Sequence, residues 1–170
     1  MSTAADASCA PFADPLTERL AAFVRGLGIP VHAAVLDEKT FLPGLDIRDG
    51  ALFIDEARLK YPGDILHEAG HLAVTDPALR NAPTLATPDG GDEMTAIAWS
   101  YAALRHLDID PAIVFHAGYK NDGSPSILEN FTAGNYFGVP LLQLYGMSAE
   151  PRHAEKLGRL PFPTMLRWLR

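Results

Sequence analysis

Apolar positions recur at helical spacing early in the chain, where Leu16, Leu20, Phe23, Val24 and Leu27 form one stripe behind Pro15. Proline fits the first turn of a helix because its missing N–H has no partner there, so a helix is predicted over 15–27. Gly26 and Gly28 end it. Val31 to Leu36 then reads as a short strand rich in β-branched and apolar residues. Leu45-Asp46-Ile47-Arg48 and Ala51-Leu52-Phe53-Ile54 flank Asp49-Gly50, a pair suited to a two-residue turn, and predict a hairpin. After Pro62 and Asp64, the stretch Ile65 to Thr75 is helical in pattern and stops against Asp76-Pro77, since proline cannot continue a helix that needs its N–H.

Three prolines and two glycines between 77 and 91 predict a long surface loop. Helical periodicity resumes over Asp92 to Leu107, with Met94, Ile97, Tyr101 and Leu104 on one face. The pattern then weakens. Ile113 to Phe115 suits strand or helix, Tyr119 to Pro125 is rich in turn residues, and Ser126 to Tyr145 is helical in part, interrupted at Gly134, Gly138 and Pro140. A last helix is expected after Pro163. The expected fold is an α+β domain over 15–170: a sheet of the Val31 strand and the hairpin, two helices packed behind it, and C-terminal helices completing the core. Residues 1–14, small, polar and proline-containing, are expected to form a loose leader.

Composition narrows the function. A chain of 170 residues with 48% hydrophobic and 21% charged residues has ordinary globular usage and the length of one domain. Fourteen Lys and Arg against 21 Asp and Glu give a net charge of −7, which disfavours nucleic acid as a partner. The basic cluster Arg152, Lys156, Arg159, Arg167 and Arg170 reads as a solvated helix face. Cys9 is the single cysteine, so no intrachain disulfide forms and a reducing compartment is expected. With neither a basic n-region nor a long apolar run, the pattern predicts no signal peptide, no membrane span and a cytoplasmic protein.

One motif carries chemistry. In His67-Glu68-Ala69-Gly70-His71 two histidines stand four apart on a predicted helix, so both imidazoles reach one metal ion, with Glu68 beside it as a candidate general base. Histidines lining a polar helix edge would be the plain alternative, but the i, i+4 pair around a glutamate favours zinc. A catalytic zinc takes three protein ligands and keeps one position open. The longer HExxHxxGxxH pattern fails, because Pro77 stands at the sixth position after His71 and the next histidine is His106. Glu93, at the start of the following helix, is the preferred third ligand; Asp92, which also suits a helix N-cap, is the strongest alternative, followed by Asp89, His106 and His116. Oxyanion stabilisation would draw on His106, His116, Tyr119 or Tyr136, each also explicable as packing. The aromatic and glycine-rich stretch from Asn130 to Pro140 suits helix packing more than a cleft wall, and Trp99 and Trp168 suit the core or a partner contact.

Over roughly residues 30–108, the order Ala51-Leu52-Phe53-Ile54, His67-Glu68-Ala69-Gly70-His71-Leu72, then Glu93 in a Glu-x-x-Ala helix resembles the ImmA/IrrE-type zinc metallopeptidases, a compact gluzincin group. The resemblance implies His67, His71 and Glu93 as zinc ligands and Glu68 as catalytic base in peptide hydrolysis. It also implies that a peptide or protein substrate adds as a strand to the sheet edge at Ala51 to Ile54. No DNA-reading element accompanies it. The competing expectation is a zinc-binding regulatory or interaction module of the same fold without turnover; a third is that the motif is accidental within an unrelated domain.

Overall fold

A computed structural model describes residues 10–119 and 123–170; Cys9, most of the expected leader and part of the turn-rich stretch after Tyr119 lie outside them. Helix α1 (Pro15–Gly26) begins where the Asp14 side chain accepts the Thr17 N–H at 2.8 Å. It buries Leu20 and Val24 completely. The residues just before it are held rather than loose: Phe12 is buried, and the Glu56 carboxylate accepts the N–H groups of Ala13 and Asp14 at 3.0 and 2.6 Å.

Three strands follow, β1 (Val31–Ala33), β2 (Leu45–Arg48) and β3 (Ala51–Ile54), forming a mixed sheet in the order β1-β3-β2. The hairpin has its expected bounds. Asp49 and Gly50 both take positive φ, 51° and 75°, the conformation of a tight turn whose twist matches the flanking strands. β1 is shorter than its apolar run suggests because its parallel partner ends at Ile54; Ala34 donates to the Ile54 carbonyl, and Leu36 N–H turns aside to the Asp55 carboxylate. The sheet order corrects one expectation. β3 lies between β1 and β2 with both edges paired, so Ala51 to Ile54 cannot accept a peptide strand, and among the described residues the open edges of this sheet belong to β1 and β2.

Helix α2 (Asp64–Val74) carries the histidine motif and is buried at every position except Glu68, which is half-buried. A side chain at Gly63, its N-cap, would strike the Ile113 carbonyl, so glycine lets the short helix α4 (Pro111–Val114) close over the start of α2. At the other end Arg80 donates to the carbonyls of Leu72 and Thr75 at 2.9 and 3.2 Å, satisfying groups that the last turn leaves open. Residues 75–89 contain no helix or strand, as the prolines require.

Helix α3 (Gly90–Leu107) packs along α2. Its expected single apolar face is not what forms: Thr95 through Leu104 are buried without a break, whereas Met94 is 42% exposed. α3 runs through the middle of the molecule, covered by α2 on one side and on others by helix α6 (Val139–Leu144) and by Phe23 and Trp168. Its start is also earlier than predicted, because Asp89 is the N-cap and exchanges hydrogen bonds with Asp92 in a reciprocal capping box. Asp92 is therefore the third helical residue and not the cap.

Helices α5 (Ser124–Thr132) and α6 (Val139–Leu144) are separated by Gly134 and Gly138, both with φ of 80°. Gly138 presses on the Met94 carbonyl where a side chain would clash, and Phe131 is buried with Tyr136 and Phe137 around it, so the aromatic stretch is packing. The last helix is α7 (Pro151–Leu157), and no helix follows Pro163. That segment is tied down one group at a time: Leu166 N–H donates to the Met147 carbonyl, Trp99 Nε1 to the Trp168 carbonyl, and Arg170 N–H to the Ala73 carbonyl. The Arg170 guanidinium lies 3.7 Å over the Tyr145 ring and Arg167 donates to the Tyr145 carbonyl, so the basic cluster is not a single solvated helix face. No helix of the described residues is long and apolar enough to cross a membrane.

Candidate metal centre

The centre begins with one turn of α2. His67 and His71, 5% and 8% exposed, project from the same side of the helix, and their Nε2 atoms stand 3.1 Å apart. A carboxylate from α3 meets the pair. Glu93 Oε1 lies 3.1 Å from His67 Nε2, and Glu93 Oε2 lies 3.3 Å from His71 Nε2.

The close approach of the two helices has a local cause. A side-chain carbon at Gly70 would sit 2.9 Å from the Ala96 carbonyl and 3.3 Å from Ser100 Oγ, so the glycine inside the motif is what allows α3 against α2. Ser100 Oγ bonds the Ala96 carbonyl at 2.7 Å and reaches the Leu66 carbonyl at 3.3 Å. The small residues at this contact thus bring Glu93 of α3 onto the histidine pair.

Two carboxylates adjoin the imidazoles and they differ in placement. Glu68 can offer an oxygen within 4.8 Å of the histidine nitrogens, and the buried group His67, Glu68 and His71 could hold a metal ion. Glu93 lies against both Nε2 atoms. The separations of 3.1 to 3.3 Å gather two imidazole nitrogens and the two oxygens of one carboxylate in one place.

The other candidates are engaged elsewhere. Asp89 and Asp92 cap α3. His106 packs against Phe23 and Trp168, and Tyr136 sits among Tyr101, Phe131 and Phe162. His116 Nε2 bonds Asp64 Oδ1 at 2.7 Å, with its ring stacked 3.7 Å from that of Tyr61. Burial raises the Asp64 carboxyl above its usual range, and the hydrogen bond from His116 offsets part of that rise.

Tyr119 does reach the centre, on its outer side. Its hydroxyl lies 2.9 Å from His67 Nδ1, the ring nitrogen facing away from His71 and Glu93. Burial, and after it the negative charges of Glu93, Asp64 and Glu68, raise the phenol well above its ordinary value, so it stays neutral. Neither Tyr119 nor the Asp64–His116 pair could be joined to the motif from sequence, since each contact spans 52 residues.

No protein-family profile, curated protein or solved structure matches the chain.

Proposed function

We propose that the protein is a zinc-dependent peptidase, with His67, His71 and Glu93 as metal ligands and Glu68 as general base. The observation that carries this reading is the convergence of Glu93 on both Nε2 atoms, which brings two imidazole nitrogens and one carboxylate together from two helices. That donor set suits zinc and leaves a fourth position open, as catalytic sites require and structural sites do not. A zinc ion held there would lower the pKa of water to about 7 and polarise a carbonyl. Glu68, the half-buried residue of α2 among buried neighbours, would be the carboxylate that takes up a proton and passes it to a leaving amine. The likeness of the motif order to the ImmA/IrrE-type peptidases supports the same roles, although a substrate strand would have to use an edge other than β3.

The test is zinc stoichiometry together with hydrolysis of a peptide library by the wild-type chain, Glu68→Gln and His71→Ala. One zinc per wild-type chain, lost in His71→Ala, with turnover abolished but zinc retained in Glu68→Gln, is the expected result. Undiminished turnover in Glu68→Gln would remove the mechanism, and zinc binding without any turnover in the wild type would make the domain a binding module.

A further inference from the structure

We infer that Tyr119 is a positioning residue for the metal centre: its hydroxyl holds His67 by Nδ1 and so aims Nε2 at the metal. This rests on the reading of His67 as a ligand. The contact is 2.9 Å long and buried, with the two rings edge-on at 5.3 Å. When Nε2 binds a metal, the one proton of the neutral imidazole must sit on Nδ1, which then donates to the Tyr119 oxygen. When Nε2 instead carries the proton, the Tyr119 hydroxyl can donate to Nδ1. A hydroxyl serves both tautomers because it is donor and acceptor at once, whereas a carboxylate in its place would hold only the first.

Tyr119 is itself fixed by the same helix it serves. Asp64 and His67 lie three apart on α2, on neighbouring turns of one face. Their partners His116 and Tyr119 also lie three apart, on a turn closed by the Tyr119 N–H donating to the His116 carbonyl at 2.9 Å. The Asp64–His116 bond therefore sets the register in which the tyrosine meets His67. Tyr61 stacks on His116, and a side chain at Gly118 would come within 2.9 Å of the Tyr61 hydroxyl, so the turn is pressed onto α2 with no room to slide. Outer hydrogen-bond partners of this kind fix ring orientation and raise ligand basicity.

The experiment compares zinc affinity, by competition with a chelating dye, in the wild type, Tyr119→Phe and Tyr136→Phe. Phenylalanine keeps the ring contacts with Phe115 and His116 and removes only the hydroxyl. Zinc affinity should fall about 10- to 100-fold in Tyr119→Phe and stay unchanged in Tyr136→Phe. The ligand-field spectrum of the cobalt-substituted protein should shift in the first variant alone, which loss of packing elsewhere would not produce. Equal affinity and an unshifted spectrum in Tyr119→Phe overturn the inference, as does an equal loss in Tyr136→Phe. Zinc retained by His71→Ala, or no zinc in the wild type, overturns the metal-site reading beneath it and is recognised separately.

Discussion

Glu93 and Asp92 are adjacent in sequence, both acidic and both in the first turn of α3, yet they have separate tasks. A residue one position along a helix is turned by about 100°, so only one of the two can face α2. Asp92 is exposed and accepts the Asp89 N–H, while Glu93 faces the histidine pair. Glu93→Gln removes the charge that balances a dication and should lower zinc affinity by more than the roughly 10- to 100-fold expected for losing an outer hydrogen-bond partner. Asp92→Asn keeps an acceptor for the cap and should leave the affinity unchanged. Titration of the two variants checks this, and equal losses would mean that the acidic turn acts only by its general field. The histidine pair and its glutamate were legible from spacing alone. The choice of Glu93 over Asp92 was not settled by spacing, because it depends on which side of α3 packs against α2, where Gly70 meets Ala96 and Ser100.

Elements were legible in the sequence where a local device enforces them. Asp49-Gly50 fixes the hairpin through positive φ at both positions, and Pro15 behind the Asp14 cap fixes α1. They were less legible where the tertiary surroundings decide. α3 is buried on all sides, so its apolar residues need not keep a single stripe, and a periodicity reading assigned Met94 to a face it does not join. After Pro163, Met165, Leu166, Trp168 and Leu169 have spacing that a helix could use, but their backbone groups bond to Met147, Trp99 and other distant partners instead. At the same scale, the α2–α3 contact makes Gly70 a sensitive position. Alanine would gain about 1 kcal/mol in helix propensity, but its methyl group meets the Ala96 carbonyl at 2.9 Å, and overpacking of that kind costs about 1–3 kcal/mol. Gly70→Ala should therefore lose on the order of 1 kcal/mol in urea denaturation of the metal-free chain and bind zinc more weakly, since α3 can yield only by moving Glu93. A more stable variant with unchanged affinity would show that the gap at Gly70 does not set the centre.

For the molecule as a whole, the question is whether the metal holds the fold or the fold holds the metal. The buried apolar cluster extends from Phe12 to Phe162 through α1, the sheet, α2, α3 and the C-terminal segment. α2 is also fixed at both ends without any ion, by α4 and the Asp64–His116 bond at its start and by Arg80 at its finish, where Arg80 also takes the Arg170 carbonyl at 2.9 Å. A core of that extent is expected to fold alone, unlike small domains whose metal supplies the folding free energy. Zinc should then add stability only by mass action, about 2.7 kcal/mol when free zinc stands at 100 times its Kd. For a chain of this length that corresponds to roughly 5–10 °C in Tm. Chelation should lower Tm by that amount, with one cooperative transition before and after and an unchanged far-ultraviolet circular dichroism spectrum at 25 °C. Collapse of the helical signal on chelation would instead mean that α2 and α3 are brought together by the ion, and that the convergence of Glu93 on His67 and His71 is a consequence of binding and not its template.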